Sequence, residues 1–569
     1  MIRIIYFLSL CFISISAISQ TIVIKGGEIH TGLNQESFIG DILIEGDTIL
    51  EVSTKPLKAD VVVDASNKIV TPGVIAPDTQ IGILEIGAIS ETRDGDSNMY
   101  SMGFSVFDAI NPNSTLIPWN RSNGVTSAIT LPDFNWDPLS GMASYFLLDG
   151  SLRVNGVPDV ALTGEIGAVS SGSRAESLIL LKDLLEFAST LDEKDISSSK
   201  KISEVMEDFE VADLMELQPR DVIALYNLLN NKLPLVIKTN RASDILKLID
   251  IKKLYGLNLI LMSAQEAELV KGEIAENNIP VIVNPFDNIP DSFDELASNI
   301  RIAASLEEAG IKVMFSESRT HNYHLIRQGA GNAVANGMSY TGAIMALTSN
   351  VAKSFNIADR GILKKGMKAD IVIWEDDPLE PATFPTKVFI DGNDMDLTTR
   401  SSRLTERYKN ASLPNYEIID LNKTKLEKQS WLSDKIIEKV NFHLERKDQV
   451  LFFLNRRGFS PHALCKNCLT SYSCPNCTIN LVYHKNKNNL LCHYCGFKTD
   501  LKRDCSKEDE CNFVFSGPGV ERISEEVKKK FPSKKIEIFS SDTMNKKDSV
   551  SKLEKIINNQ VQILVGTQL

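Results

Sequence analysis

Short apolar runs of strand length alternate with amphipathic stretches of helix length between residues 71 and 352. This alternation predicts a parallel sheet, and the number of units favours a closed (β/α)8 barrel of the TIM type over an open sheet. The strand-like runs and the clearest helical stretches are Thr126–Leu131, Leu235–Lys238, Leu257–Met262, Pro280–Asn284 and Lys312–Ser316, then Ser177–Ala188 and Ile302–Ala309.

Further strand-like runs lie on both sides of this region. We therefore expect a small composite β-sandwich built from residues 20–70 and 358–405, flanking a barrel formed by residues 71–357. Residues 190–215 are rich in Ser, Lys, Asp and Glu and predict a solvated helical insertion. The flanking runs are 21–26, 41–47, 61–64, 369–374 and 387–392.

The first nineteen residues have the pattern of a secretory signal peptide. One arginine precedes an apolar run from Ile4 to Ile15, and small residues follow before Gln20. The alternative is a membrane anchor, but the run is shorter than the roughly 20 residues that a spanning helix needs. No later segment is apolar enough to cross a bilayer. We therefore expect a periplasmic or secreted protein, with cleavage before Gln20.

Charge and cysteine content divide the chain at one place. Residues 1–410 hold 35 Lys and Arg against 55 Asp and Glu, whereas residues 411–569 hold 26 against 19. Apart from Cys11, all cysteines lie between Cys465 and Cys511. A cysteine-free acidic part suits an oxidising compartment, and clustered cysteines suit metal binding in a reducing one. The two parts indicate different compartments.

Two stretches around the predicted barrel resemble the imidazolonepropionase-like branch of the amidohydrolase superfamily. They are Val70–Ile75, and Gly361–Trp374 followed by Asp377–Leu379. The resemblance covers roughly residues 21–405. It implies a barrel that binds one or two divalent metals at its mouth and hydrolyses C–N bonds in amides or cyclic amides.

The histidines that would bind metal in that superfamily are absent here. The His-x-His pair of the first barrel strand is replaced by Asp78-Thr79-Gln80, and the two middle strands end at Lys238 and Ser263. The aspartate of the last strand is replaced by Glu317. The few other histidines before residue 410 do not rebuild a site of three or four ligands, so we expect no metal in the barrel. They are His30, His321 and His324, of which the last two are expected at the surface or in contact with phosphate.

Without metal-bound hydroxide, the superfamily's hydrolytic mechanism does not carry over. A metal-free acid–base site remains open, because barrel sites form on the loops at the carboxyl ends of the strands. Asp78 and Glu317 are our catalytic candidates, since each lies at a strand end. For each loop charge the alternative is simple solvation. The other charges that could gather there are Glu85, Glu91, Asp94, Asp96, Arg93 and Arg319.

The eight clustered cysteines include three Cys-x2-Cys pairs. Eight thiolates suffice for two tetrahedral zinc sites of four cysteines each with no open position, and such sites are structural. The alternative is a disulfide framework, but repeated Cys-x2-Cys turns suit a metal better than mutual bridging. We expect His462, His484 and His493 to lie at the surface. The cysteines are Cys465, Cys468, Cys474, Cys477, Cys492, Cys495, Cys505 and Cys511.

The flanks of this cluster resemble the PriA family of primosomal replication-restart helicases. They are Val450–Phe459, Ser516–Val527 and Ile563–Leu569, and the match runs from about Leu413 to the final residue. The resemblance implies a partial α/β helicase lobe with a two-zinc insertion at residues 465–511 that contacts DNA and primosome proteins. It assigns one zinc to Cys465, Cys468, Cys505 and Cys511, and the other to Cys474, Cys477, Cys492 and Cys495. The last pair is spaced by five residues where the family has two, so the first of these sites departs from the family's pattern.

Helicase activity is not expected from this part of the chain. A helicase needs a phosphate-binding loop containing Gly-Lys, and this dipeptide is absent from the sequence. The second lobe would also be unfinished at Leu569. A net positive charge favours contact with nucleic acid, and the candidates for it are Arg456, Arg457 and Arg522.

Together these features predict a multidomain, exported amidohydrolase-like protein joined to a truncated PriA-like fragment, residues 413–569, as an accidental fusion. The barrel is either a hydrolase of non-peptide C–N bonds or a metal-free pseudo-enzyme that binds a small molecule. In the alternative, the DNA-binding zinc fragment, which suits the cytoplasm, is the meaningful part. A bifunctional protein would need two opposite compartments.

Overall fold

The structure is a computed structural model that divides into two compact units, Met1–Ala411 and Ser412–Leu569, called here the front unit and the rear unit. Among the described residues, no helix is long and apolar enough to cross a membrane. The structure describes residues 20–569 except 88, 136–137, 168–172, 231, 318–320, 410–414, 425, 428–429, 455–461, 470, 478, 485–487, 502–511, 518, 540–551, 553 and 567–569.

The front unit contains a small β-sheet and a barrel. Its strands are β1 (Thr21–Ile29), β2 (Phe38–Glu45), β3 (Thr48–Ser53), β4 (Val61–Asp64), β5 (Ile69–Pro72), β6 (Val74–Thr79), β7 (Val125–Thr130), β8 (Leu139–Leu147), β9 (Gly156–Glu165), β10 (Pro234–Thr239), β11 (Asn258–Ser263), β12 (Val281–Val283), β13 (Val313–Phe315), β14 (Ile371–Trp374), β15 (Pro385–Ile390) and β16 (Asn393–Asp394). Its helices are α1 (Leu116–Arg121), α2 (Arg174–Thr190), α3 (Ser199–Met206), α4 (Glu210–Leu214), α5 (Pro219–Asn230), α6 (Ala242–Tyr255), α7 (Lys271–Glu276), α8 (Ile302–Glu308), α9 (Ile326–Ala335), α10 (Tyr340–Leu347), α11 (Ser349–Ser354) and α12 (Arg400–Tyr408).

The small sheet joins the beginning and the end of the front unit. Its order is β16-β15-β14-β5-β1-β2-β3, with β4 paired to β1. The antiparallel pairing of β5 with β14 places the fully buried Trp374 where its indole N–H donates to Thr71 Oγ1 at 2.8 Å. The same indole lies against Gly124, at whose position a Cβ atom would stand 2.1 Å from the ring. A side chain at residue 124 is therefore excluded by this contact.

The barrel is confirmed as a nearly closed sheet of eight strands in the order β13-β12-β11-β10-β9-β8-β7-β6. Each strand-like run predicted from the sequence for the barrel overlaps one of these strands, to within one residue at each end. The departure is β8, which runs antiparallel to both neighbours. Its two connections, 131–138 and 148–155, are shorter than the dozen or so residues that a parallel crossover needs, so the chain must reverse direction.

The predicted insertion at residues 190–215 is helical, but it is only partly solvated. Ile202 on α3 and Val211 and Ala212 on α4 are buried in the barrel's hydrophobic core. These apolar residues are few among many charges, which is why the composition indicated a solvated segment.

The rear unit has a parallel sheet of order β17-β24-β23 packed against two helices through an apolar core. Separate short antiparallel strands carry the cysteine-rich segment. The strands are β17 (Val450–Phe453), β18 (His462–Cys465), β19 (Val482–His484), β20 (Asn489–Leu491), β21 (Lys498–Asp500), β22 (Phe513–Ser516), β23 (Ile536–Phe539) and β24 (Ile563–Gly566), and the helices are α13 (Asp434–Glu445) and α14 (Val520–Lys530).

Candidate functional site

A polar cavity of about 340 Å³ opens at the carboxyl ends of the barrel strands. This is the rim at which barrel enzymes place their reacting groups. The lining residues follow β6, β7, β10, β11, β12 and β13: Asp78, Thr79, Gln80, Leu131, Pro132, Asp133, Phe134, Lys238, Met262, Ser263, Asn284, Asp287, Ser316, Glu317 and Tyr323. Both catalytic candidates from the sequence, Asp78 and Glu317, are among them.

Asp78 lies one residue before the end of β6. Desolvation raises the pKa of this carboxyl to about 6, while the nearby ammonium of Lys238 acts in the opposite direction. Desolvation has the larger effect on the pKa, because the buried carboxylate loses its hydration. The attraction of the ammonium offsets only part of that loss. Near neutral pH the carboxyl therefore exchanges protons readily, as a general acid or base must.

Among the described residues that line the cavity, Lys238 is the only one with a cationic side chain. Its Nζ lies 3.0 Å from Glu165 Oε1 and 5.6 Å from the centre of the Phe134 ring. The other charged side chains in the described lining are carboxylates, so Lys238 supplies the positive charge there that a ligand can contact. The sequence identified position 238 only as a missing metal ligand, and its pairing with Glu165 was not predicted.

Gln80 ties together two of the loops that shape the cavity. Its backbone N–H donates to Tyr323 Oη at 2.9 Å, and its side-chain Nε2 donates to Asp133 Oδ1 at 2.5 Å. Burial raises the pKa of Tyr323, so the phenol stays protonated. Glu317 lines the same cavity and is 4% exposed. Hydrogen bonds from Gln80 thus link the segments that follow three different barrel strands, β6, β7 and β13.

The cavity continues into a second depression of about 650 Å³ that shares Lys238, Ser263 and Asp287. The segment after β12 covers this side. Asp294 of that segment accepts a hydrogen bond from Arg241 Nη2 at 2.7 Å and also pairs with Arg174. These ion pairs fix the segment over the mouth.

The three histidines of the front unit lie away from the cavity lining. His30 contacts Glu28 at 3.5 Å in the small sheet, and His321 Nε2 lies 2.9 Å from the Glu85 carbonyl. The prediction of a surface position is wrong for His324, which is 8% exposed and packs edge-on against Trp119. Burial lowers the pKa of His324 to about 4, so it is neutral.

Among the described residues, the remaining loop charges do not line the cavity with the two catalytic candidates. Glu85, for example, accepts a hydrogen bond from the Thr115 hydroxyl at 3.2 Å, outside the cavity. Arg319 lies outside the described residues. Glu91, Arg93, Asp94 and Asp96 are likewise absent from the described lining.

Within the described part of the chain, one group of three or more His, Cys, Asp or Glu side chains is close enough to hold a metal ion. It consists of Cys474, Cys477, Cys492 and Cys495, whose sulfur atoms all lie within 4.8 Å of one another. The Cys474 and Cys495 sulfurs are 3.5 Å apart, which is a thiol contact and far longer than a disulfide bond. Four thiolates at this spacing fit tetrahedral zinc. That the barrel binds no metal stays a prediction.

Two turns hold the four cysteines. Cys474 N–H donates to the Ile479 carbonyl at 2.7 Å, and Cys492 N–H donates to the Phe497 carbonyl at 2.8 Å. A backbone hydrogen bond from Phe497 lowers the pKa of Cys495, whereas the hydrogen bond with Cys495 raises the pKa of Cys477, so Cys495 is the thiol of this pair that ionises first. The zinc site therefore rests on backbone geometry that the sequence already encodes as Cys-x2-Cys.

The ligand set assigned to the other zinc is described only in part. Cys465 is buried in β18, and Cys468 follows it in a turn where Leu469 N–H donates to the Cys465 carbonyl at 3.0 Å. Cys505 and Cys511 lie outside the described residues. The second zinc stays a prediction.

The expected surface position is wrong for His484, which is 3% exposed. Its Nδ1 lies 3.2 Å from Glu521 Oε1 and its Nε2 lies 2.9 Å from His493 Nε2. Because Glu521 belongs to α14, this imidazole fastens the zinc ribbon to the helix. Sequence spacing gave no signal for a contact across 37 residues. The side chain of His462 lies outside the described atoms.

The nucleic-acid candidates are described only at Arg522, which lies on α14 one residue after Glu521. Arg456 and Arg457 lie outside the described residues. The basic residues Lys528, Lys529 and Lys530 form the last turn of the same helix.

Comparisons with known proteins match the two units separately. Residues 188–399 match the model described as the amidohydrolase family, and residues 474–499 match the PriA DNA helicase Cys-rich region (CRR) domain. The crystal structure of an amidohydrolase from Thermotoga maritima MSB8 superposes with a TM-score of 0.57 at 22% identity, covering 66% of this chain and 99% of that one. This similarity shows the fold.

Among curated proteins, the replication restart protein PriA of Rickettsia conorii is 43% identical over 169 residues, which is 29% of this chain and 26% of the relative. PriA of Haemophilus influenzae is 35% identical over 167 residues, again 29% of this chain and 23% of the relative. The chain thus spans about a quarter of the length of the curated relatives that it matches.

Proposed function

Since the front unit has the amidohydrolase fold and the rear unit carries a PriA-like cysteine-rich region, we propose a separate function for each. The front unit binds a small polar molecule and hydrolyses a non-peptide C–N bond in it by metal-free acid–base chemistry. The observation that carries this proposal is the placement of Asp78, with a pKa of about 6, in the same cavity as the ammonium of Lys238.

Each of the two groups has a chemical task. Asp78 removes a proton from water as general base and returns it to the leaving nitrogen as general acid, which needs a carboxyl that titrates near neutral pH. Lys238 stabilises the negative charge that develops on the carbonyl oxygen when water attacks. Glu165 keeps the ammonium in place.

The cavity volume limits the ligand. A space of about 340 Å³ lies at the lower end of the range for small-molecule sites, and amide, hydroxyl and carboxylate groups line it. A small amide or cyclic amide fits this chemistry, whereas a folded polypeptide does not enter.

The test is turnover of a panel of small amides and lactams by chelator-treated protein. Hydrolysis should persist without metal and fall at least about a hundredfold in Asp78→Asn, while Asp96→Asn, outside the cavity, stays active. Hydrolysis abolished by chelation would contradict the proposal. Saturable binding with no turnover would leave a pseudo-enzyme that only binds its ligand.

We also propose that the chain is exported and cleaved before Gln20. The apolar run from Ile4 to Ile15 and the small residues that follow support this. Fractionation of cells with N-terminal sequencing tests it, and a full-length cytoplasmic chain that begins at Met1 would contradict it.

The rear unit is proposed as a zinc module that contacts DNA and primosome proteins without ATPase activity. The clustered sulfurs of Cys474, Cys477, Cys492 and Cys495 and the match to PriA support this. Fluorescence anisotropy with a forked DNA at low salt tests it. Arg522→Gln should weaken binding, whereas Arg446→Gln in the same unit serves as the charge-matched control.

The joining of the two units is proposed to be accidental, because an exported barrel and a DNA-handling module need opposite compartments. Sequencing of the locus tests this directly. One uninterrupted reading frame, together with a full-length polypeptide in one compartment, would contradict it.

A further inference from the structure

A second pocket, lined by four arginines, lies at the other rim of the barrel. It measures about 530 Å³. Its lining includes Arg121, which ends α1 just before β7 begins, and Gly150, which follows the end of β8. The amino end of β7 and the carboxyl end of the reversed β8 both face away from the Asp78 cavity. This arginine pocket, defined by Arg121, Arg400, Arg403 and Arg407, is therefore separate from the site described above.

Three of the arginines project from one face of α12. Arg400, Arg403 and Arg407 are spaced by three and four residues, which places them along one side of a helix. A capping box between Thr399 and Ser402 fixes the start of this helix and occupies its amino end. At 1.5 Å per residue, the three side chains are spread over about 10 Å of the helix axis.

Nearby acidic residues neutralise only part of the positive charge of these arginines. In the described part of the chain, Arg400, Arg403 and Arg407 form no ion pair, and Glu406 of the same helix pairs instead with Lys409 at 4.0 Å. Asp396 is the one carboxylate in the lining. A hydrogen bond from Thr398 and the charges of Arg121 and Arg403 lower its pKa, so it is ionised. Four guanidinium groups and one carboxylate thus belong to the described lining, and a second carboxylate, Asp149, acts on Arg121 from outside it.

The fourth arginine is buried at the base of the pocket. Arg121 is 8% exposed; its Nη1 donates to the Leu148 carbonyl at 2.8 Å and its Nη2 donates to the Asp396 carbonyl at 3.0 Å. Its buried Nε has no hydrogen-bond partner. Carbonyls accept the hydrogen bonds of this guanidinium, and the carboxylates of Asp396 and Asp149 act on it only through their charge, so it is not closed off by an ion pair. Gly150 leaves room above it, since a Cβ there would stand 3.0 Å from Nη1.

The wall opposite α12 supplies polar groups from Asn113, Ser114 and Thr115. Ser114 Oγ accepts from Leu116 N–H at 3.2 Å, which leaves its hydroxyl proton for a ligand. The Thr115 hydroxyl already donates to Glu85.

We propose that the arginine pocket binds a small anionic ligand with two adjacent charged groups, of the diphosphate class.

The spacing of the arginines along α12 indicates that the ligand carries two anionic groups. One phosphate contacts one or two guanidinium groups in bidentate fashion, whereas arginines spread along two turns of a helix match two linked phosphates. The volume of the pocket lies within the range for small-molecule sites. The ligand enters from solvent, where the arginine side chains of α12 are exposed.

Calorimetric titration of the full-length protein with inorganic pyrophosphate tests the proposal. Binding should be saturable, weaken with salt, and be at least tenfold tighter than for orthophosphate. The double variant Arg400→Gln with Arg403→Gln should raise Kd at least tenfold, and Arg403→Lys should lose part of the affinity because it keeps charge without the bidentate geometry. Lys365→Gln, an exposed lysine outside the pocket, should bind normally.

Three results would overturn the proposal. They are the absence of saturable heat at low salt, equal affinity for orthophosphate and pyrophosphate, and unchanged affinity in the double arginine variant. Vesicles containing phosphatidic acid provide the other source of phosphate groups: binding to them without competition by pyrophosphate would assign the surface to a membrane. An unchanged thermal transition of the front unit shows that the variants still fold.

Discussion

The ammonium nitrogen of Lys238 lies 3.0 Å from Oε1 of Glu165, at the carboxyl ends of two neighbouring barrel strands. The register places these two residues directly opposite each other on β10 and β9. Their pairing leaves a cation at the mouth of a cavity that otherwise presents carboxylates. The electrostatics of Asp78 therefore depend on a residue from another strand.

Replacing Lys238 by Met should raise the pKa of Asp78 further above about 6. The ammonium is the one nearby charge that lowers this pKa, so its loss leaves desolvation unopposed. Infrared spectroscopy across a pH series measures the protonated carboxyl, and the difference spectrum of Asp78→Asn identifies its band. Lys365→Met is the control, and a pKa shift no larger than in this control would show that Lys238 does not act on Asp78.

The stability of the front unit should fall as the pH rises from about 4 to about 6. The folded carboxyl of Asp78 has a raised pKa, so folding favours its neutral form, and that contribution is lost once the carboxyl ionises. The loss is at most about 3 kcal/mol. Thermal unfolding at several pH values measures it, using the transition that zinc chelation leaves unchanged. In Asp78→Asn this part of the pH dependence should vanish; an identical profile in both proteins would argue against it.

Cys477→Ser should release one zinc per chain and unfold the ribbon around β19, β20 and β21. A tetrahedral structural site does not survive the loss of one of four thiolates, because the three that remain leave the charge and geometry incomplete. Elemental analysis measures the metal, with Ser473→Ala as the neighbouring control. About two zinc ions per intact chain are expected, all lost on deletion of residues 411–569. Metal retained by residues 20–410 would refute the metal-free barrel.

Arg360→Ala should destabilise the front unit by about 3–5 kcal/mol. The buried guanidinium donates to Asp370 at 2.5 Å and to Asp391 at 2.7 Å, and its removal leaves Asp370 buried without its partner. Chemical denaturation measures the change. Lys368→Ala removes a half-exposed pair with Asp47 and should cost less than about 1 kcal/mol. Equal losses in the two variants would mean that burial does not decide the effect.

Gly124→Ala should cost markedly more stability than Gly310→Ala. Both glycines have positive φ, +93° and +79°, so both substitutions carry the same backbone strain of about 1 kcal/mol. Only at residue 124 does the new methyl group meet the Trp374 ring, since residue 310 faces open space. The difference between the two melting temperatures measures the destabilisation caused by the contact with Trp374, and we expect the Gly124→Ala variant to melt at the lower temperature.

The barrel was predictable from the sequence because buried parallel strands are nearly continuous apolar runs, as in Val236 and Ile237 or Val281–Val283. The direction of a strand leaves no such trace. The segment Leu139–Leu147 is buried throughout and would have the same composition whichever way it ran. Its reversal follows from the short connections on either side, and the apolar pattern of the strand itself carries no information about them.

Single site residues at the end of one strand were predictable from the sequence. Contacts between residues of different strands or helices were not. Asp78 and Glu317 were identified because each lies at the end of a predicted strand. The Lys238–Glu165 pair joins residues 73 positions apart, and the link from His484 to Glu521 crosses from the ribbon to a helix. Such contacts depend on register and packing, which no local pattern specifies.

The reversed strand β8 has a consequence for how the front unit can change over evolutionary time. In the turn before it, residues 131–134 line the carboxylate-rich cavity, and in the turn after it, Gly150 lines the arginine pocket. An insertion in either turn would enlarge one binding space and leave the other's walls intact, since nine strand residues separate the turns. Selection can therefore alter the specificity of one end independently of the other.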